Sequence, residues 1–181
     1  RIWLSEIMLQ QTQVAAVIPY YRRFLERFPD VRALASAPPS DVMAAWAGLG
    51  YYSRARNLHK CAQAVVERHD ARFPRTAREL ADLPGIGRST AAAIAVFAGG
   101  ERAAILDGNV KRVFARHFAI DGYPGETAVE RRLWELAEAE LPGAGIEAYT
   151  QGLMDLGATV CSRSRPRCPD CPVATTCAAL A

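Results

Sequence analysis

Four cysteines near the end of the chain constrain its fold more than any other feature. The segment CSRSRPRCPDCPVATTC has the spacing C-x6-C-x2-C-x5-C, formed by Cys161, Cys168, Cys171 and Cys177. A loop so rich in cysteine, proline and arginine cannot build a hydrophobic core alone, so it requires a covalent or metal staple. Four thiolates that converge on one centre suit a [4Fe–4S] cluster or a structural zinc ion.

Disulfides are the alternative to a metal centre, but nothing else in the chain is typical of a secreted protein. Zinc sites usually combine one close pair of cysteines with a second pair, whereas this segment contains a single C-x2-C pair. The uneven spacing therefore favours an iron–sulfur cluster. We expect the fifth cysteine, Cys61 in LHKCAQAVV, to be a small buried hydrophobic residue.

The rest of the chain has the pattern of an all-α protein. Half of its 181 residues are hydrophobic, apolar residues recur at helical spacing, and strict alternation is absent. We predict helices over residues 3–17, 20–28, 30–36, 40–48, 53–69, 76–82, 89–98, 109–117, 127–141 and 146–160. No stretch is long and apolar enough to span a bilayer, so we expect no membrane partner.

The segment LSEIMLQQTQV raises a question about its polar residues. Gln11 stands where the apolar stripe of a helix expects another apolar side chain, and Glu6 lies five residues earlier. In one interpretation these residues are solvated, with a helix break at Gln11 and Thr12 as the cap of the next helix. In the other they serve a site.

The segment LPGIGRSTA predicts a tight turn between two helices, the second of which begins at Ser89. Gly85 and Gly87 permit a left-handed backbone and the close approach of a ligand. The backbone N–H groups that open the second helix form an anion site. Because the segment lacks a third glycine and a P-loop lysine, a phosphate of a nucleic-acid backbone fits better than a nucleotide. A simple connection between helices is the alternative.

Aromatic and basic residues suggest contacts with nucleic acid, although a net charge of +3 does not establish them. In GLGYYSRARN, Tyr51 and Tyr52 follow a glycine turn beside Arg54, which suits base stacking or a wedge into a duplex. Packing of Tyr52 in the core is the alternative. Arg163 and Arg165 lie between cluster ligands and suit phosphates, or they are simply solvated.

Asp107 precedes the helical segment GNVKRVFARHF and is an N-cap candidate, a role that does not exclude a catalytic one.

The chain resembles the adenine DNA glycosylase family of helix-hairpin-helix glycosylases in several segments taken together. These are WLSEIMLQQTQV, GLGYYSRARNLHK, LPGIGRSTA, ILDGNVKRV, MDLGATVC and the cysteine tail. The resemblance implies a [4Fe–4S] cluster and two lobes. A six-helix barrel would span roughly residues 20–120 with the hairpin at 80–92. A cluster lobe would comprise residues 1–19 and 121–181, closed by the loop 161–177.

The same resemblance implies the roles of individual residues. Glu6 would be the general acid that protonates adenine, aided by an apolar setting, and would also handle the water. Asp107 would stabilise the developing sugar cation, and Asn109 would position Asp107 and the substrate. Ser89 replaces the lysine of endonuclease III-like lyases, so we expect a monofunctional enzyme in which Ser89 contacts water or substrate. The DNA contacts would come from Gln11, Thr12, Leu49, Tyr51, Arg54, Gly85, Gly87, Arg88, Arg163 and Arg165.

The expected partner is duplex DNA with adenine opposite 8-oxoguanine or guanine, bound by a monomer. We expect a cytoplasmic, nucleoid-associated protein, or a nuclear or mitochondrial one in a eukaryote. Because the chain opens inside a helical pattern and ends soon after the cysteines, we expect it to be a catalytic core fragment without the domain that reads 8-oxoguanine. An endonuclease III-like pyrimidine-lesion lyase and a noncatalytic iron–sulfur DNA-binding module are the alternatives.

Overall fold

The computed structural model describes residues 1–180 and is helical throughout, without a β-strand in that range. The helices are α1 (Ile2–Leu9), α2 (Val14–Arg27), α3 (Val31–Ser36), α4 (Pro39–Trp46), α5 (Ser53–His69), α6 (Ala77–Ala81), α7 (Arg88–Gly99), α8 (Gly108–His117), α9 (Thr127–Ala139) and α10 (Ile146–Asp155). A π-helical turn, Leu156–Val160, continues α10, and short 3-10 turns follow at Cys168–Asp170 and Ala174–Thr176. The predicted all-α class is confirmed.

The first two predicted helices have wrong boundaries. The first helix ends at Leu9 rather than at residue 17, and the second begins at Val14 and continues through Pro19. A proline inside a helix removes one backbone hydrogen bond and crowds the preceding turn, and Pro19 lies in the second turn of α2. The predicted break at Gln11 is confirmed, because Gln11 has φ 56°. Thr12 does not cap α2, whose N-cap is Gln13 without a side-chain hydrogen bond.

The chain divides into two compact units, which we call the N-terminal unit (Arg1–Gly99) and the C-terminal unit (from Gly100 onward). Residues 1–19 belong to the N-terminal unit, whereas the predicted division assigns them to the lobe with the cysteine loop. Their place follows from burial, since α1 contacts α2, α5 and α7. The two lobes of the family stay a prediction.

Each unit has its own apolar contacts. In the N-terminal unit, Met8 of α1, Phe24 of α2 and Trp46 of α4 are at most 1% exposed and share one hydrophobic core. In the C-terminal unit, Val110 of α8 and Leu133 of α9 are fully buried. Within residues 1–180, no helix is long and apolar enough to cross a membrane.

Candidate functional site

Two turns of the N-terminal unit carry strained, exposed residues. We call residues 10–12 the glutamine turn and residues 49–51 the tyrosine turn. Gln11 and Tyr51 have φ 56° and φ 48°, and both side chains are exposed. For a residue other than glycine the left-handed conformation costs about 1–2 kcal/mol. Such strain concentrates at functional sites, where the surrounding structure holds it in place.

Both turns border one cavity of about 210 Å³, together with the start of the glycine hairpin. Gln11, Tyr51 and Gly85 all contribute to its lining. The structure therefore brings together three residues that the sequence predicted separately as DNA contacts. In addition, Gln10 Nε2 donates to Thr90 Oγ1 of α7 over 3.2 Å, which ties the glutamine turn to the helix after the hairpin.

The hairpin turn connects α6 to α7, and only one of its two glycines is conformationally required. Gly85 has φ +77°, and a Cβ atom added there would lie 2.5 Å from the Cβ of Asn57. Gly87 lies outside the left-handed region, so its backbone conformation does not require glycine. α7 begins at Arg88, one residue before the predicted start, and Arg88 is exposed.

Two predicted DNA contacts of the N-terminal unit are buried instead. Leu49 is 7% exposed and belongs to the hydrophobic core. Arg54 is 8% exposed, and its guanidinium donates to main-chain carbonyls and to the Thr12 hydroxyl. This burial does not support a direct DNA contact by either side chain. Tyr52, for which core packing was the alternative, is 42% exposed.

The two candidate catalytic residues of the N-terminal unit lie on contacting helices. Glu6 is half-buried on α1, between the buried side chains of Trp3 and Ile7 in sequence. Ser89 is half-buried in the first turn of α7, and α1 contacts α7. The role of Glu6 stays a prediction.

Asp107 caps α8 in the C-terminal unit. Its Oδ1 accepts a hydrogen bond of 2.8 Å from the backbone N–H of Val110, as the N-cap interpretation predicted. The carboxylate is half-buried at the positive end of the helix dipole, where negative charge is stabilised. The cap uses one oxygen of the carboxylate in a fixed orientation.

Asn109 is connected to the cysteine loop through Arg112, which the sequence analysis missed. Arg112 Nη2 donates to Asn109 Oδ1 over 2.8 Å and to the Gly157 carbonyl over 2.6 Å. Arg112 Nε donates to the Cys161 carbonyl over 2.7 Å. Gly157 packs closely against α8, since an added Cβ would lie 2.6 Å from the Cβ of Asn109. One side chain thus fixes Asn109, the π-helical turn and the first cysteine together.

A second arginine one turn later holds the cysteine loop itself. Arg116 Nη1 donates to the Cys161 Sγ over 3.4 Å and to the Ser162 carbonyl over 2.8 Å. Arg116 Nη2 donates to the Arg163 carbonyl over 2.9 Å. A signal for both residues was present in VKRVFARHF, because arginines at i and i+4 share one face of a helix.

The four cysteines of the tail line one cavity of about 200 Å³. All five cysteines are free thiols, so the disulfide alternative is not formed in the described chain. Within residues 1–180 no three histidine, cysteine or carboxylate side chains form a group that could hold a single ion. The cavity is several times the roughly 30 Å³ that one water occupies. Four sulfur donors around such a space, with the Arg116 guanidinium beside one of them, fit a multi-iron cluster.

Comparison with known protein families identifies the superfamily of the chain. Residues 4–139 match the HhH-GPD superfamily of base excision DNA repair proteins. The chain belongs to this superfamily. The predicted helix-hairpin-helix fold is therefore confirmed.

Curated relatives of this superfamily include adenine DNA glycosylases. That of Buchnera aphidicola subsp. Baizongia pistaciae is 43% identical, over 98% of this chain and 50% of its own length. That of Homo sapiens is 48% identical, over 98% of this chain and 33% of its own length. The chain thus spans about half the length of the first relative and a third of the second. Among solved structures, a thermostable thymine-DNA glycosylase has a TM-score of 0.88 and 31% identity, covering 99% of this chain and 82% of that one.

The fifth cysteine of this superfamily member is expected to be unreactive. Cys61 is fully buried in α5, and burial raises the pKa of its thiol to about 12. Only the thiolate is nucleophilic, so iodoacetamide at about pH 8 should leave Cys61 unmodified in the folded protein. Labelling should appear on unfolding in guanidinium chloride, as measured by peptide mass spectrometry. Equal labelling rates in the folded and unfolded chains would contradict the buried position.

Arg112 is expected to contribute strongly to the stability of the C-terminal unit. Replacing Arg112 with methionine removes the charged donor from four acceptors and should lower the free energy of unfolding by about 2–3 kcal/mol. Arg131 is exposed on α9, and Arg131→Met should change the same quantity by less than about 0.5 kcal/mol. Urea unfolding of both variants measures the difference. Equal midpoints would show that the link through Arg112 is unimportant.

Proposed function

We propose that this chain is a monofunctional DNA glycosylase that hydrolyses the N-glycosidic bond of adenine opposite 8-oxoguanine or guanine in duplex DNA. The observation that carries the proposal is its similarity, over 98% of its length, to adenine DNA glycosylases. Both carboxylates that the chemistry requires are present, at Glu6 and Asp107. The target adenine must leave the base stack, because the bond to be cut is not reachable inside a duplex.

The proposed reaction divides its charges between the two carboxylates. Glu6 donates a proton to N7 of adenine, so that the bond between N9 and C1′ breaks and the electron pair leaves with the base. The Asp107 carboxylate stabilises the positive charge that develops on the sugar. Water then adds to C1′ and releases a proton, which leaves free adenine and an abasic site. Asn109, fixed by Arg112, positions the substrate beside Asp107.

The residue at position 89 supports a monofunctional reaction. A lyase of the endonuclease III type needs a lysine amine to form an imine with C1′ before the strand is cut. Ser89 carries a hydroxyl instead and cannot form that imine. The abasic strand should therefore stay intact until alkali is added.

We propose that Cys161, Cys168, Cys171 and Cys177 hold a [4Fe–4S] cluster. Its contribution would be to order the loop 161–177, in which Arg163 and Arg165 are exposed. These arginines would then contact phosphates, which position a protein on DNA without reading sequence. Iron and sulfide analysis together with visible absorption tests the assignment, and zinc without iron in protein purified without oxygen would contradict it.

The proposed duplex contacts of the N-terminal unit centre on the cavity at its two turns. Gln11, Thr12 and Tyr51 would enter the duplex beside the lesion base, and Gly85, Gly87 and Arg88 would contact backbone phosphate. We further propose that the protein binds DNA as a monomer and acts in the nucleoid, or in the nucleus or mitochondrion of a eukaryote.

A second function is favoured by the similarity to a solved thymine-DNA glycosylase. Removal of a pyrimidine from a mispair is therefore the alternative to be tested beside adenine. The experiment is single-turnover cleavage of labelled duplexes with adenine opposite 8-oxoguanine, guanine or thymine, and with thymine opposite guanine. We expect strand cleavage of the first two duplexes only, and only after alkali. Cleavage of the thymine–guanine duplex would favour the alternative, and cleavage without alkali would contradict a monofunctional reaction.

A further inference from the structure

The glutamine turn and the tyrosine turn are both held by one buried side chain, Arg54. Its Nη1 donates to the carbonyls of Ile7, Met8 and Gln10 over 3.1, 2.7 and 2.6 Å. These carbonyls lie at the end of α1, where a helix leaves its last acceptors without intrahelical partners. Arg54 thus caps the C-terminal end of α1, directly before Gln11 adopts the left-handed conformation.

The second nitrogen of Arg54 reaches both turns. Nη2 donates to Thr12 Oγ1 over 3.0 Å in the glutamine turn. It also lies 3.4 Å from the Leu49 carbonyl and 3.3 Å from the Gly50 carbonyl in the tyrosine turn. The guanidinium is therefore shared between two segments that are far apart in sequence.

Aromatic rings reinforce the same position. The Cζ of Arg54 lies 5.3 Å from the centroid of the Tyr51 ring and 5.4 Å from that of Trp46. These distances permit a cation–π attraction to each ring. Trp46 Nε1 in turn donates to the Gly50 carbonyl over 3.0 Å. The exposed Tyr51 side chain is thus held by the charge that also closes the glutamine turn.

We propose that Arg54 is a positioning residue that fixes the glutamine turn and the tyrosine turn as one rigid wedge for the duplex. The inference rests on the proposed function, in which Gln11 and Tyr51 enter DNA. Only arginine suits this place, because its planar fork presents five donors, whereas lysine presents a single charged point with three. A lysine at position 54 would satisfy one turn and release the other.

The first test compares Arg54→Lys with Arg68→Lys, whose arginine is exposed at the other end of α5. The probe is a duplex that carries 2-aminopurine next to the base opposite the target adenine. The fluorescence of 2-aminopurine rises when the neighbouring bases unstack from it. Binding is followed separately by anisotropy of a dye-labelled duplex. Arg54→Lys should bind within about threefold of the unchanged protein, because phosphate contacts supply most of the affinity. Its fluorescence rise should be lost, and adenine release should fall by about tenfold or more. Arg68→Lys should match the unchanged protein in every readout.

A double variant separates positioning from a general loss of structure. Gln11→Ala should also abolish the fluorescence rise, and Arg54→Lys combined with Gln11→Ala should slow adenine release no further than the more severe single variant. Residues that act through one element give non-additive effects of this kind. Effects that multiply would overturn the proposal.

Should Arg54→Lys fail to fold, Thr12 provides the second pair of variants. Thr12→Val removes the hydroxyl that accepts from Arg54, and Thr12→Ser keeps it. In DNA-free protein, amide hydrogen exchange of both turns should accelerate in Thr12→Val and return to normal in Thr12→Ser. Acceleration confined to the glutamine turn would overturn the proposal.

Failure of the proposed function gives a different result. If the unchanged protein unstacks 2-aminopurine through Arg54 but releases no adenine, the wedge holds and the adenine glycosylase assignment fails. If adenine is released at the same rate by Arg54→Lys and by the unchanged protein, the assignment holds and the positioning role is overturned.

Discussion

Replacing Asp107 with asparagine is expected to slow adenine release by about 10²–10⁴-fold while the protein stays folded. The two roles of Asp107 can be separated because they need different properties of the side chain. The cap of α8 needs an oxygen that accepts from the Val110 N–H, which asparagine provides about as well as aspartate. Stabilisation of a sugar cation needs the negative charge, which asparagine lacks.

The measurement is single-turnover adenine release beside thermal unfolding of the same samples. Asp107→Ala removes the cap as well as the charge, so it should lose about 1 kcal/mol more stability than Asp107→Asn. Asp121 is exposed in the same unit, and Asp121→Asn should keep both rate and stability. A rate for Asp107→Asn within about threefold of the unchanged protein would mean that Asp107 is only a helix cap.

Glu6→Gln is expected to have an effect of similar size, about 10²–10⁴-fold, because glutamine fits the same space but has no acidic proton to transfer. Single-turnover adenine release measures the effect. Glu67 is exposed on α5, so Glu67→Gln should keep the rate.

A modified substrate tests which atom receives the proton. 7-Deazaadenine lacks N7, so the unchanged protein should release it much more slowly than adenine. Glu6→Gln should show little further loss on that substrate, because the step that the variant removes no longer exists. If Glu6→Gln slows the release of 7-deazaadenine as strongly as that of adenine, Glu6 does not act through N7.

The site could be predicted from the sequence where the signal lies within a few neighbouring residues. Gln11 interrupts an apolar stripe, and the structure breaks the helix there with a left-handed residue. Asp107 stands before a helical segment and caps it. Four cysteines in one short segment end up around one cavity. In each case the constraint is local, so a few neighbouring residues decide the outcome.

The sequence failed where the deciding partner is distant along the chain. Arg54 was predicted to contact DNA because it lies in a basic, aromatic segment. Its guanidinium instead donates to main-chain carbonyls at the end of α1, more than forty residues earlier in the chain. Arg112 meets the Gly157 and Cys161 carbonyls, more than forty residues later. The predicted gap between residues 17 and 20 is wrong, because α2 continues through Pro19. A local pattern can mark such an arginine, as it does for Arg112, but it does not identify the distant carbonyls that the arginine binds.

The most direct measurement is the base that the protein liberates from a duplex with adenine opposite 8-oxoguanine. Under single-turnover conditions we expect free adenine, identified by chromatography and mass spectrometry, in equal amounts with abasic sites and with the opposite strand unchanged. Release of thymine from a guanine mispair instead, or binding of the duplex without release of any base, would contradict the assignment as an adenine glycosylase.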